Sequence, residues 1–108
     1  VLPETSKKFD ELPDSVKNLL SEVIQSRLAS QLILFGSRAR EDHRPNSDFD
    51  IAVRWKDPLD PKILKLKIRL EESPISLYKI DLLDLNSAAR DYLDEINKEG
   101  ILLWQEKA

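Results

Sequence analysis

Gln31-Leu32-Ile33-Leu34-Phe35-Gly36-Ser37 and, ten residues further on, Asp48-Phe49-Asp50-Ile51-Ala52-Val53-Arg54-Trp55 are the two segments from which this 108-residue chain can be read. The first is a short apolar run closed by a glycine, the pattern of a buried strand ending in a turn. The second alternates strictly, with Phe49, Ile51, Val53 and Trp55 on one face and Asp48, Asp50, Ala52 and Arg54 on the other. Between them, Ser37-Arg38-Ala39-Arg40-Glu41 is helix-compatible but short. Asp42-His43-Arg44-Pro45-Asn46-Ser47 reads as a loop, broken by Pro45 and Asn46.

Outward from this centre, residues 1–13 carry two prolines and mixed charge and read as an irregular lead-in. From Asp14, the apolar positions Val16, Leu19, Leu20, Val23, Ile24 and Leu28 follow helical spacing, with Asp14 as N-cap or Pro13 as the first turn. Residues 62–72 fit two patterns. Leu64, Leu66, Ile68 and Leu70 alternate as in a strand, but the Leu, Lys, Arg and Glu composition favours helix, which is the assignment adopted. Ser76 to Leu83 reads as a strand with Lys79, Asp81 and Leu83 on one side and Tyr78, Ile80 and Leu82 on the other. Asn86 is expected to N-cap a helix through Tyr92, Leu93 and Ile96, and Gly100 to stop it in a left-handed conformation. Ile101 to Trp104 forms a last short strand. Alternating strands and helices predict an α/β or α+β domain, with residues 1–108 as one unit.

Composition narrows the chemistry. There is no cysteine, hence no disulfide, thiolate metal site or cysteine nucleophile, and the single histidine, His43, excludes multi-histidine metal sites. A net charge of −3 argues against sequence-independent nucleic-acid binding. No apolar run approaches the roughly 20 residues of a membrane span, and Val1-Leu2-Pro3-Glu4 is no signal peptide, so a cytoplasmic protein is expected. Only two glycines occur, Gly36 and Gly100, where average usage of about 7% would give roughly seven or eight. A hydrophobic fraction of 41% in so short a chain makes a small core, and part of its apolar surface is expected to belong to a partner.

Asp48 and Asp50 point to one face of their strand, and carboxylates held that close repel unless one is protonated or a cation lies between them. Magnesium suits hard oxygen ligands that leave positions free for phosphate. Gly36 lies where a strand runs into a short helix, a place where backbone N–H groups can meet an anion. Ser37 adds a hydroxyl, and Arg38 and Arg40 add positive charge. Asp81 is the third candidate carboxylate, with Asp84 as its alternative. Three carboxylates with two metals would clamp an in-line phosphoryl displacement, and a third acid near the attacking oxygen could take its proton. Singly, a Gly-Ser pair is a turn and an Asp-x-Asp a solvated face; their joint order favours chemistry. Arg38 and Arg40 are equally readable as surface partners of Glu41 and Asp42. Ser47 is first a turn residue and second a ligand contact, His43 an exposed loop residue, and Lys65, Lys67 and Arg69 a solvated helix face. Trp55 and Trp104 belong to the core or to a partner surface.

Gly36-Ser37-Arg38-Ala39-Arg40, then Arg44-Pro45-Asn46-Ser47-Asp48-Phe49-Asp50-Ile51-Ala52-Val53, then Lys79-Ile80-Asp81-Leu82, resembles the minimal nucleotidyltransferases of the DNA polymerase beta superfamily over about residues 15–104. The resemblance implies a mixed sheet flanked by helices, with ATP and two Mg²⁺ ions at the sheet edge. It implies that Asp48 and Asp50 ligate both metals and that Asp81 completes the second site. Gly36 and Ser37 would hold the terminal phosphates, and Arg38, Arg40 and Ser47 complete the expected nucleotide-binding set. One position departs: such proteins commonly carry glycine after the Ala-Arg pair, and here Glu41 stands there.

Minimal members of that superfamily lack a substrate domain and work with a separate helical protein of the HEPN or substrate-binding type, in some cases as a toxin–antitoxin pair. The resemblance therefore implies a hetero-oligomer and transfer of a nucleoside monophosphate, AMP from ATP, to a hydroxyl on or presented by that partner. The alternative is a binding module that neutralises a helical partner by contact, a reading motivated by Glu41. A third is a bare cation site of structural use. The acidic chain makes nucleic acid the least favoured acceptor.

Overall fold

The computed structural model describes residues 5–72 and 78–107. The elements run α1 (Lys7–Asp10), α2 (Asp14–Gln25), β1 (Ala29–Phe35), α3 (Ser37–Arg40), β2 (Phe49–Trp55), α4 (Lys62–Glu71), β3 (Ile80–Asp84), α5 (Arg90–Glu99) and β4 (Ile101–Gln105). The strands form one mixed sheet in the order β3-β2-β1-β4. β1 is antiparallel to both β2 and β4, while β2 and β3 are parallel. The fold is α+β, as the alternation of elements predicts.

The parallel pair explains the helix at α4. Parallel neighbours cannot be joined by a hairpin and need a crossover, usually helical. Ile63 and Leu70, two helical turns apart, are buried, and Leu66 between them packs on the same core. Leu64 and Ile68, which a strand would have placed beside Leu66 and Leu70, are exposed.

Both faces of the sheet are covered. On one, α1, α2 and α4 lay Phe9, Val16, Leu20, Val23 and Ile63 over Leu32, Leu34, Ile51 and Val53. On the other, Ile96 and Leu93 of α5 meet Phe35, Ala52, Ile33 and Leu83. Ala52, which the period-2 pattern groups with the aspartates, is therefore fully buried. Its face is a second core only at mid-strand, between Asp50 at the start and the exposed Arg54 near the end. Trp55 and Trp104 are both core residues.

Several local expectations are corrected. The lead-in is not irregular throughout: Thr5 bridges Trp104 at the edge of β4, and Ser6 caps α1 by accepting from Phe9 N at 3.3 Å. Phe9 and Leu12 are buried, so this segment extends the first core. Helix α2 stops at Gln25, short of Leu28, because Ser26 Oγ donates to Val23 O at 2.6 Å and accepts from Leu28 N at 3.2 Å. Arg27 adopts φ 61° there, and Leu28 reaches the core from beyond the helix. The strand expected over 76–83 is observed as Ile80–Asp84; Ser76 and Leu77 lie outside the described residues.

Asn86 does not cap α5, whose N-cap is Ala89. Its amide instead clamps the end of β2, accepting from Trp55 N at 2.9 Å and donating to Trp55 O at 3.1 Å. Gly100 is not left-handed either, with φ −64° and ψ 143°. It is required by space: a β-carbon there would collide with Ile96 O and stand 2.8 Å from Ile33 Cγ2, so α5 could not turn so tightly into β4.

Candidate active site

β1 ends at Phe35, and the chain leaves it through Gly36 at φ 74° and ψ −157°, a backbone region populated essentially by glycine alone. Gly36 O then accepts from the N–H groups of Ala39 and Arg40, both at 3.1 Å, which starts α3 at once. The same bare Cα lets the carboxylate of Asp50 lie against the turn, because a β-carbon on Gly36 would overlap Asp50 Oδ2. Phe35 pairs with Asp50 across β1 and β2, and Asp50 pairs with Asp81 across β2 and β3. Strand pairing thus places the glycine turn and two carboxylates side by side at one edge of the sheet.

These groups line a cavity of about 550 Å³ that also takes in Ser37, Arg40, Tyr92 and Glu95. Its electrostatics are dominated by acids. Burial pushes the Asp50 carboxyl above the ordinary aspartate range, and the neighbouring charges of Asp81, Asp48 and Glu95 push it further, against a smaller opposing pull from Arg40. Lys79 Nζ lies 3.5 Å from Asp81 Oδ1 and offsets part of the charge there. Asp48, half-buried one residue ahead of β2 and not among the cavity-lining residues, acts on Asp50 electrostatically.

The two arginines divide. Arg40 lines the cavity, with its guanidinium held by Asp42 at 3.0 Å, Glu99 at 3.3 Å and Glu95 at 3.9 Å. Donating hydrogen bonds to Asp42 and Glu99 raises its pKa. Arg38 turns away from the cavity and into the loop. It donates to Pro45 O at 3.2 Å and Ser47 O at 3.0 Å, and packs over the rings of Phe49 at 4.3 Å and Tyr78 at 5.3 Å. Ser47 closes the same loop, its hydroxyl accepting from Arg44 N at 2.9 Å. Neither Arg38 nor Ser47 lines the cavity; both hold the segment that delivers Asp48.

Asp84, the alternative third acid, is committed elsewhere. It accepts from Trp55 Nε1 and from Lys67 Nζ, both at 2.9 Å, on the α4 side of the sheet. Lys67 and Arg69 are accordingly not a bare solvated face, Arg69 pairing with Glu22 at 2.6 Å. Glu41 is left-handed, with φ 63°, the conformation for which a glycine is usual, and lies 3.8 Å from Lys8. His43 is exposed.

The donor set suits a hard divalent cation: carboxylate oxygens, one pair of them in strand register, beside a turn that no side chain fills. Among the described residues no three acidic or histidine side chains converge into a ready ligand shell. Beyond the sequence-derived site residues, the cavity is lined by the apolar Phe35, Leu82 and Leu83 and by Tyr92 and Glu95. Tyr92 had been absorbed into the apolar period of α5. The available signal was that Tyr92 and Glu95, three apart on one helix, share a face.

Residues 17–108 match the family described as Polymerase beta, Nucleotidyltransferase. A Methanocaldococcus jannaschii protein named protein adenylyltransferase is 30% identical over 101 residues, which are 92% of this chain and 97% of the relative. A toxin–antitoxin crystallised with AMP-PNP superposes with a TM-score of 0.65 at 26% identity, over 88% of this chain and 76% of that one. A complex of the tri-AMPylated Shewanella oneidensis HEPN toxin with an MNT antitoxin superposes with a TM-score of 0.52 at 26% identity, over 82% of this chain and 68% of that one. No helix among the described residues is long and apolar enough to cross a membrane. A sheet edge that brings a Gly-Ser turn against paired aspartates, and a family match from α2 to the end of the chain, agree: this protein belongs to the polymerase beta nucleotidyltransferase family.

Proposed function

We propose that this chain is a Mg²⁺-dependent adenylyltransferase that moves AMP from ATP to a hydroxyl of a separate helical partner of the HEPN type, as the antitoxin of a toxin–antitoxin pair. The observation that carries the reading is the juxtaposition of Asp50 and Asp81, in register on parallel strands, with the Gly36-Ser37 turn in one cavity. The AMP-PNP complex and the AMPylated HEPN toxin among the structural relatives support the donor and the kind of acceptor. The cytoplasm, where ATP and Mg²⁺ are plentiful, is the compartment that fits.

In this reading Gly36 and Ser37 approach the terminal phosphates of ATP, and Arg40 adds positive charge beside them. Asp48, Asp50 and Asp81 would hold two Mg²⁺, which neutralise phosphate charge and lower the pKa of the attacking hydroxyl. The acceptor oxygen would attack the α-phosphorus in line, pyrophosphate would leave, and Asp81 would take the hydroxyl proton. Arg38 and Ser47 act at one remove by fixing the loop ahead of Asp48.

The test is transfer of label from α-labelled ATP to the partner in the presence of Mg²⁺. Asp48→Asn, Asp50→Asn and Asp81→Asn are each expected to abolish transfer while the protein remains folded. Transfer at the wild-type rate by Asp48→Asn overturns the reading. The rival, a module that neutralises its partner by contact alone, draws on Glu41, whose carboxylate follows α3 directly in a left-handed conformation. Calorimetry in which Mg-ATP fails to bind, with the partner present, would favour that rival.

A further inference from the structure

We propose that Tyr92 is the nucleobase platform of the donor site, and that it sets a preference for purine over pyrimidine nucleotides. The inference rests on the nucleotide-donor reading above and adds to it the part of the site that meets the base. Gly36, Ser37, Arg40, Asp50 and Asp81 supply everything a triphosphate and its cations need, and none of them offers an apolar surface. A nucleobase leaving that end of the cavity needs an aromatic or aliphatic wall.

Tyr92 supplies it. Phe9, Phe35, Phe49, Trp55 and Trp104 are all at least 94% buried, and Tyr78 is partly buried against Phe49 at 5.3 Å. Tyr92 alone among the seven rings is half exposed, at 50%, and it lines the cavity. Its ring meets Phe35 edge-on, with centroids 6.5 Å apart and planes at 78°. An edge-to-face contact fixes a ring while leaving a π-face free. Phe35 is itself anchored in the second core and ends the strand that runs into Gly36, so the platform is tied to the phosphate turn through one residue. Such a ring in an acid-lined cavity is ill suited to an anion but well suited to a neutral base. Stacking on it grows with ring area, which predicts discrimination between purines and pyrimidines by size.

The experiment is calorimetric titration of the full chain with Mg-ATP and with Mg-CTP, for the wild type and for Tyr92→Phe, Tyr92→Leu and Tyr92→Ala. The wild type is expected to bind ATP more tightly than CTP. Tyr92→Phe should preserve both affinities. Tyr92→Leu, which keeps an apolar contact with Phe35 but has no π-face, and Tyr92→Ala should weaken ATP binding about tenfold and bring the ATP to CTP ratio close to one. Equal ratios in wild type and Tyr92→Leu overturn the platform. So does loss of function in Tyr92→Phe together with a mass gain of one AMP on Tyr92 in the wild type, which would make the phenol an acceptor. If the wild type binds no Mg-ATP at all, the donor reading itself fails, an outcome distinct from either.

Discussion

The Cα of Gly36 rests against the carboxylate of Asp50 so closely that a β-carbon would occupy the position of Oδ2. A turn residue and a candidate metal ligand are thereby one steric unit: whatever moves the turn moves the acid. The two glycines of the chain serve close packing in both cases, but at Gly36 the packed neighbour is chemical and at Gly100 it is Ile96 O and Ile33.

Gly36→Ala combines that collision with a φ of 74°, so a stability loss of roughly 1–3 kcal/mol is expected, together with loss of Mg-ATP binding. Gly100→Ala should cost a similar amount, yet leave the affinity of the remaining folded protein unchanged. Urea denaturation paired with nucleotide titration separates them; equal affinities in the two variants would contradict the steric unit.

Asp50 is the residue whose charge the fold opposes. Its pKa is higher folded than unfolded, so the folded state holds the proton more tightly, and stability falls as pH rises from the unfolded value near 3.9 through the folded value. The penalty is absent below that window and fully present above it. Asp50→Asn should therefore melt higher than wild type at pH 7, with the gap closing as pH falls toward about 4, even as the variant loses AMP transfer. Melting curves across this range would expose a wrong sign directly.

Arg38 and Arg40 stand two apart and should fail differently. Arg38 bridges two loop carbonyls and covers two rings, so Arg38→Ala should cost roughly 1–3 kcal/mol of stability. Arg40 is tied to Asp42, Glu95 and Glu99 in solvent-screened pairs, a kind that contributes little to stability. Arg40→Ala should leave the denaturation midpoint almost unmoved and weaken nucleotide binding several-fold. A large midpoint shift in Arg40→Ala would count against this division.

Glu41 occupies a left-handed conformation that costs a residue with a β-carbon on the order of 1 kcal/mol relative to glycine. Its pair with Lys8 is long and largely exposed, which offsets little. Glu41→Gly should raise stability by about 0.5–1 kcal/mol and tighten Mg-ATP binding by removing an anion close to α3. Unchanged affinity would show that the carboxylate lies too far from the phosphates to matter.

What the chain's own order determined was whatever a repeat of two or of about four residues can encode. The run into Gly36, the strand at Asp48–Trp55 with its aspartates on one face, the helix from Asp14 and the last strand all follow from local spacing, and the structure has each of them. Glu41 stands out only against the family resemblance, as the residue where a glycine is usual, and its left-handed backbone is read from the structure. Long-range pairing decided the rest. Asp81 meets Asp50 only because β3 joins β2 in parallel register, across a crossover helix whose own sequence fits strand and helix alike. The same sheet, covered by α5, buries Ala52 where alternation alone predicts a solvated face. Asn86 is drawn to Trp55 by the end of β2, not by the helix that follows it. Arg38 and Arg40 are indistinguishable as neighbours in sequence, and diverge because α3 aims one at the loop and the other at the acids of α5. Tyr92 is legible in the sequence only as sharing a helix face with Glu95. A helix's period says which residues share a face, but only the packed neighbour says whether that face ends in core or in a cavity.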